Sequence, residues 1–164
     1  PVVLYTTRPI REGETDGVEY FFTSSEKLEQ FKNSGKIVEL RTYETVMGPW
    51  SYFTMDDGQF DIHGEGDCLM IGTLESYEKM CRYYGNGALV PVYIEVPDGI
   101  RLLRAVKREG KQKNPNYREV CRRYLADEDD FSEELLSRLR IGKRFSNTDL
   151  EACLEEILKE MESH

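Results

Sequence analysis

The sequence predicts an α/β fold: one domain with a turn-rich lobe at its N-terminal end. Three observations carry this. The chain has 164 residues, 39% of them hydrophobic and 11% aromatic, enough for one buried core. Up to about residue 60, short aromatic strands alternate with turns around one helix. From Cys68 the pattern changes to an apolar run at 68–71 (CLMI), an amphipathic helix at 74–84 (LESYEKMCRYY) and a second apolar run at 88–96 (ALVPVYIEV). That order is a βαβ unit and predicts a short parallel sheet behind a mixed or antiparallel lobe.

Taken in order, residues 1–5 (PVVLY) are apolar and β-branched and predict a strand, and 18–24 (VEYFFTS) predict an aromatic second one. Thr23 with Glu26 fits a capping box for a helix over 25–34, which Gly35 ends. Residues 36–46 (KIVELRTYETV) alternate as a strand with Ile37 and Leu40 inward, and 50–55 (WSYFTM) give another after the MGP break. Gly85, Asn86 and Gly87 stop the βαβ helix. They lack the third spaced glycine of a dinucleotide fingerprint and follow a helix, so capping accounts for them. From Ile100 the chain is helical and charged, with a loop at 111–116 (KQKNPN) between two arms. Arg104 and Arg108 share a helix face, Arg122 and Arg123 lie beyond the loop, and ion pairs to Asp127, Asp129 and Asp130 are expected to make this a solvated hairpin. The last helix opens at Asn147 or Thr148, with Leu150, Cys153, Leu154, Ile157, Leu158 and Met161 on its apolar face.

A formal charge of −9 argues against a nucleic-acid footprint or a polybasic membrane patch, so any anion site must be local. Cys68, Cys81, Cys121 and Cys153 form no C-x-x-C pair and are expected to be small buried hydrophobes in a reducing compartment. With His63 and His164 the only histidines, a His-based metal centre is not expected, and His63 beside Gly64 is expected in a loop. No apolar run reaches the length of a membrane span and no signal peptide opens the chain, so the expected location is the cytoplasm.

The most informative stretch is residues 5–22, YTTRPIREGETDGVEYFF. Pro9 blocks a helix through Arg8 and Arg11. The pair is then either a solvated loop joining two strands, or two fork-shaped donors held close together on a stiffened segment, as recognition of a phosphate dianion requires.

The string TTRPIREGETDGVEYFF resembles the guanylate kinase pattern, in which T-T-R-x-x-R precedes G-E, an acidic residue, a glycine and a tyrosine. The resemblance continues along nearly the whole chain. GKIVEL is similar to the family's glutamate-bearing strand, YFT to its tyrosine-glycine-threonine, RAVKREG and RRYLADEDDF to the two arms of its lid, and FSNTDLEACLEEI to its terminal asparagine-plus-helix signature. It implies a P-loop NTPase-like parallel-sheet core, here without its first strand and P-loop helix, with a nucleoside-monophosphate lobe at 1–65, a βαβ core at 66–103, a lid at 104–123 and a C-terminal helical part of the core at 124–164.

By the same resemblance, Arg8, Arg11, Tyr20 and Tyr52 bind the phosphate of GMP, and Glu39 accepts hydrogen bonds from guanine N1 and N2. A carboxylate facing two adjacent N–H donors discriminates guanine from adenine. Arg104, Arg108 and Arg123 are implied as catalytic, closing over the ATP phosphates, with Asn147 near the adenine. ATP and Mg²⁺ are the cofactors expected of the complete enzyme, which would move the γ-phosphoryl of ATP to GMP.

Two departures stand out. No G-x-x-x-x-G-K-[ST] precedes Arg8, so the chain is expected to be a fragment of a longer protein or to lack the ATP half. Gly72 and Thr73 stand where the family places carboxylates after its central strand. Three readings follow: a GMP kinase seen without its P-loop segment, a non-catalytic guanylate-kinase-like interaction module, or a structural domain whose arginines form only surface ion pairs. The intact Arg8, Arg11, Tyr20 and Glu39 favour a nucleotide site.

Overall fold

The computed structural model describes residues 1–45, 47–64, 66–85 and 87–162, and the chain divides into two compact units, Pro1–Leu89 and Val90–His164. Architecture is mixed α/β in both.

The first unit holds β1 (Tyr5–Thr6), β2 (Phe21–Phe22), α1 (Ser25–Ser34), β3 (Ile37–Thr45), β4 (Gly48–Met55) and α2 (Leu74–Tyr84). The strands form one mixed sheet in the order β2-β1-β4-β3, with β1 parallel to β2 and antiparallel to β4, and β3 antiparallel to β4. The cap of α1 is Ser24, whose hydroxyl accepts from the Lys27 N–H, one residue later than the capping box expected at Thr23. Thr23 Oγ1 is instead buried with no hydrogen-bond partner among the described residues. Gly35 ends the helix in the left-handed region at φ 69°, where a side chain would be strained.

Alternation along the sheet separates two faces. Phe53 and Met55 of β4 turn to one side and bury with Leu28 of α1, and Tyr5, Phe31, Ile37 and Leu40 pack around them. Ile37 and Leu40 both face inward as expected, although they are three residues apart, because the register shifts between Ile37 and Glu39 and brings both onto the core face. Thr6, Tyr52 and Arg41 fall on the opposite face, as do Glu39 and Thr54, because these residues are register partners across β1, β4 and β3.

The strand expected at 68–71 does not form. Those residues have no strand pairing, their one backbone bond here being Val2 N–H to Leu69 O, and Ile71 is 89% exposed. An apolar run without a neighbouring strand has no ladder to join. The parallel sheet belongs to the second unit, which holds β5 (Tyr93–Glu95), α3 (Asp98–Glu109), α4 (Tyr117–Asp130), α5 (Glu133–Arg138), β6 (Arg144–Ser146) and α6 (Leu150–Met161). There β5 pairs in parallel with β6, not with 68–71. Leu136, Ile141, Phe145 and Cys153 are its buried apolar residues. The cap of α6 is Asp149, whose carboxylate accepts from Ala152 N–H, rather than Asn147 or Thr148. Its apolar face is narrower than expected: Cys153 is buried, while Leu150, Leu154 and Leu158 are exposed.

Two cysteines also depart from expectation. Cys68, in the unpaired run, and Cys121, on the solvent side of α4, are exposed, although all four thiols are free. Asn86 of the expected helix stop and His164 lie outside the described residues. No helix among the described residues is long and apolar enough to cross a membrane.

Candidate functional site

Buried polar side chains mark the site. Thr6, Arg8, Glu39, Ser51, Thr54 and Ser76 are the buried polar or charged residues among those described, and all lie in the first unit. Buried polar groups need partners, and specific ones are present for Thr6, Arg8, Glu39, Ser51 and Thr54, whereas Ser76 Oγ has none among the described residues.

The two threonines at 6 and 7 aim the arginine. Thr6 Oγ1 donates to Ser51 O at 2.9 Å and accepts from Arg8 N–H at 3.1 Å, while Thr7 Oγ1 accepts from Ser51 N–H at 2.9 Å. The end of β1 is thereby pinned to β4. Arg8 follows with its guanidinium 5.3 Å from the centroids of both Tyr20 and Phe22, a cation held over two aromatic faces. Tyr20 meets Tyr52 edge-on at 5.7 Å. The structure thus gathers Arg8, Tyr20 and Tyr52.

Glu14 holds Arg8 in place. Its carboxylate accepts from Nη1 and Nη2, each at 2.8 Å, and from the Arg11 backbone N–H at 2.7 Å, while Nη1 also donates to Pro9 O. The hydrogen bond from Arg8 draws the Glu14 carboxyl down to about 2, and Glu14 in turn raises the Arg8 pKa against the opposing effect of burial, with smaller contributions from Tyr52. A guanidinium has five N–H donors. Three are taken by Pro9 and Glu14, which leaves the Nε–H and the second Nη2–H, the side-on edge, for Tyr52 or a ligand. Arg11 is exposed on the same turn. Gly17 opens the next turn, before Tyr20, at φ 80°, and a Cβ there would sit 3.4 Å from the Phe21 ring.

The second cluster surrounds Glu39, whose side chain is wholly buried. Oε1 accepts from Thr54 Oγ1 at 3.0 Å and from Arg41 Nη2 at 3.4 Å, and Oε2 accepts from Arg41 Nε at 3.1 Å. Arg41 Nη1 reaches on to Thr73 Oγ1 at 3.2 Å, and the same oxygen caps α2 by accepting from Ser76 N–H at 3.3 Å. Thr73 thus serves as helix cap and arginine acceptor where the family places a carboxylate. Sequence reasoning assigned no role to Arg41 or Glu14. Both were within reach of a local signal: Arg41 lies two residues after Glu39 on a strand and so shares its face, and Glu14 is the glutamate of the G-E pair.

In the second unit, Arg104 of α3 donates to Asn147, from Nη1 to its backbone O at 2.9 Å and to Oδ1 at 3.3 Å, so those two residues meet. Arg123 donates to Glu119 at 2.9 Å, as does Arg122 at 2.8 Å. Arg108 is exposed. Arg101, unremarked in the sequence, ties α3 to α4 through an ion pair with Glu128 and a position 4.4 Å above the Tyr124 ring.

Among the described residues, Mg²⁺ finds no matching donor set. The Thr73 oxygen is already engaged by Arg41 and Ser76, and among the described residues no three His, Cys, Asp or Glu side chains cluster so as to hold a metal ion. The 164 residues likewise contain no G-x-x-x-x-G-K-[ST] to cradle ATP phosphates.

Comparison with known proteins agrees with the pattern around Arg8. The family model for guanylate kinase matches residues 1–50. A guanylate kinase of Salinibacter ruber is 28% identical over 157 residues, covering 95% of this chain and 77% of that protein. Guanylate kinases of several Streptococcus pyogenes strains are 46% identical over 41 residues, a stretch that spans 25% of this chain and only 19% of theirs. By sequence, this chain is similar to guanylate kinases, over residues 1–50 to their family model and along most of its length to the Salinibacter ruber protein.

Proposed function

We propose that the first unit is a GMP-binding lobe. The observation that carries this is one sheet face bearing, at one end, a buried arginine whose Nε side Glu14 does not cover and, at the other, a wholly buried carboxylate. Arg8 offers its Nε and Nη2 hydrogens to the phosphate, Arg11 supplies a second cation from the exposed turn, and the Tyr20 and Tyr52 hydroxyls complete the clamp. Glu39, oriented by Thr54, reads the N1–H and N2–H edge of guanine. The relatives' name and the family match over residues 1–50 support the assignment.

In the whole protein, we infer, this lobe presents GMP to the γ-phosphoryl of ATP. The lid at 104–123 brings Arg104, Arg108 and Arg123 toward the phosphates, and Asn147 lies near the adenine; the Arg104–Asn147 contact supports a common role for those two. Since the described residues hold no donor set for Mg²⁺ and the 164 residues contain no phosphate-cradling loop, no transfer step is assigned to them. Titration with GMP, guanosine and AMP tests the lobe. Binding is expected to weaken on removing the phosphate and, separately, on replacing guanine by adenine. Guanosine binding as tightly as GMP would contradict the clamp.

A further inference from the structure

Arg41 is a charged group on this face that the GMP reading leaves unused. Its side chain is only 10% exposed, and its Nε–H and Nη2–H form the side-on fork to the two oxygens of Glu39. Guanine contains the same donor arrangement: N1–C2–N2 is a guanidine fragment, and N1–H and N2–H are adjacent, coplanar and parallel. Both therefore present the same pair of hydrogens to the same pair of oxygens. With Arg41 seated, one oxygen of Glu39 holds Arg41 Nε, the other holds Thr54 and Arg41 Nη2, and no face of the carboxylate is open to solvent. Arg41 Nη1 meanwhile bonds the cap of α2, so the guanidinium spans from the carboxylate to the helix start.

We propose that Arg41 is a selectivity-determining residue that stands in for guanine on Glu39, so that a base gains the carboxylate only by displacing it. The inference rests on Glu39 being the base reader. A ligand with two adjacent N–H donors can repay Glu39 for the loss of Arg41; adenine, lacking that pair, cannot, and binds with Arg41 still seated. The displaced guanidinium keeps its bond to Thr73 or moves into water. Apparent GMP affinity is then reduced by the fraction of molecules in which the seat is open.

The test is calorimetric titration of Arg41→Met and Arg41→Lys beside the unaltered chain. Arg41→Met frees the seat but leaves Glu39 buried and unpaired; Arg41→Lys keeps the charge yet cannot present a planar two-donor fork. GMP is expected to bind about tenfold more tightly to Arg41→Met, the gain for a seat open about a tenth of the time, and more tightly to Arg41→Lys by a smaller factor, with AMP affinity unchanged in both. Guanidinium ion, added well below denaturing concentration, is expected to compete with GMP in whichever variant folds and to leave the unaltered chain unaffected, an effect that a merely structural arginine would not produce. Variants that bind GMP no more tightly than the unaltered chain, while all forms still prefer GMP to AMP, would overturn the role of Arg41 and leave the base reading intact. Equal affinity for GMP and AMP in every form would overturn the base reading and this inference with it.

Discussion

The two arginine–glutamate pairs of the first unit use the same chemistry in opposite senses. In Arg8–Glu14 the guanidinium is deep and the carboxylate nearer the rim, at 3% and 18% side-chain exposure. In Arg41–Glu39 the carboxylate is the deep partner, with no exposure at all, and the guanidinium retains 10%. Glu14 binds the two Nη atoms and so leaves the Nε side of Arg8 uncovered by its own carboxylate. Arg41 turns its Nε side to Glu39 and fills both oxygens. The edge of the guanidinium that meets the carboxylate therefore decides which member of the pair remains able to meet a ligand. At the phosphate end it is the arginine; at the base end it is the carboxylate, once the arginine has moved.

Removing Arg8 is the harshest way to break this comparison. Arg8→Met leaves Glu14 without its partner and removes the buried guanidinium that ties the end of β1 to the turn, so stability is expected to fall. Urea unfolding is expected to register that loss, and titration to show GMP and AMP weakened alike, since a phosphate clamp carries no base information. A loss confined to GMP would place Arg8 at the wrong end of the site. Glu39→Ala is expected to do the reverse, weakening GMP by about 1–3 kcal/mol and leaving AMP unchanged.

Acid sharpens the contrast at Glu14. Hydrogen bonding from Arg8 lowers its carboxyl from the ordinary 4.5 to about 2 in the folded chain. A depressed folded value means that the ion pair's contribution is complete above the unfolded pKa and is lost as pH falls toward the folded one. Thermal unfolding of Glu14→Gln beside the unaltered chain is therefore expected to show a stability gap that is constant at neutral pH, narrows only below about 4.5 and closes near about 2. A gap that closed at neutral pH would contradict the pairing. The smallest effect belongs to the second unit: Arg123 and Glu119 are 63% and 35% exposed, and Arg123→Ala is expected to cost under about 1 kcal/mol in the same assay, with GMP affinity unchanged.

Local signals were legible in the sequence to the extent that local physics decided the outcome. The helices 25–34 and 74–84 form over those residues because Gly35 and Gly85 end them and their apolar spacing is helical. Ile37 and Leu40 both face inward as the sequence suggests, but only through a register shift after Ile37 that alternation alone does not foresee. The cap moved from Thr23 to Ser24 because two adjacent hydroxyls compete for one position, and sequence does not rank them. The strand at 68–71 failed for a different reason: pairing is decided by residues distant in the chain, and β5 found its parallel neighbour in β6, about fifty residues downstream. At the site, the resemblance named Arg8, Tyr20 and Tyr52, which the structure gathers, but a family pattern is silent on what is peculiar to this chain. Arg41 on the face of Glu39, and Thr73 as its acceptor, are of that kind.

Calorimetric titration of the folded, unaltered chain with GMP and with AMP tests the central claim most directly, because the two ligands share the phosphate that Arg8 would hold and differ at the edge that Glu39 would read. The account predicts that both bind and that GMP binds measurably more tightly, even though it must first displace Arg41 from Glu39. Equal affinities in a folded sample would contradict it, and would reduce the likeness to guanylate kinases to one of sequence alone.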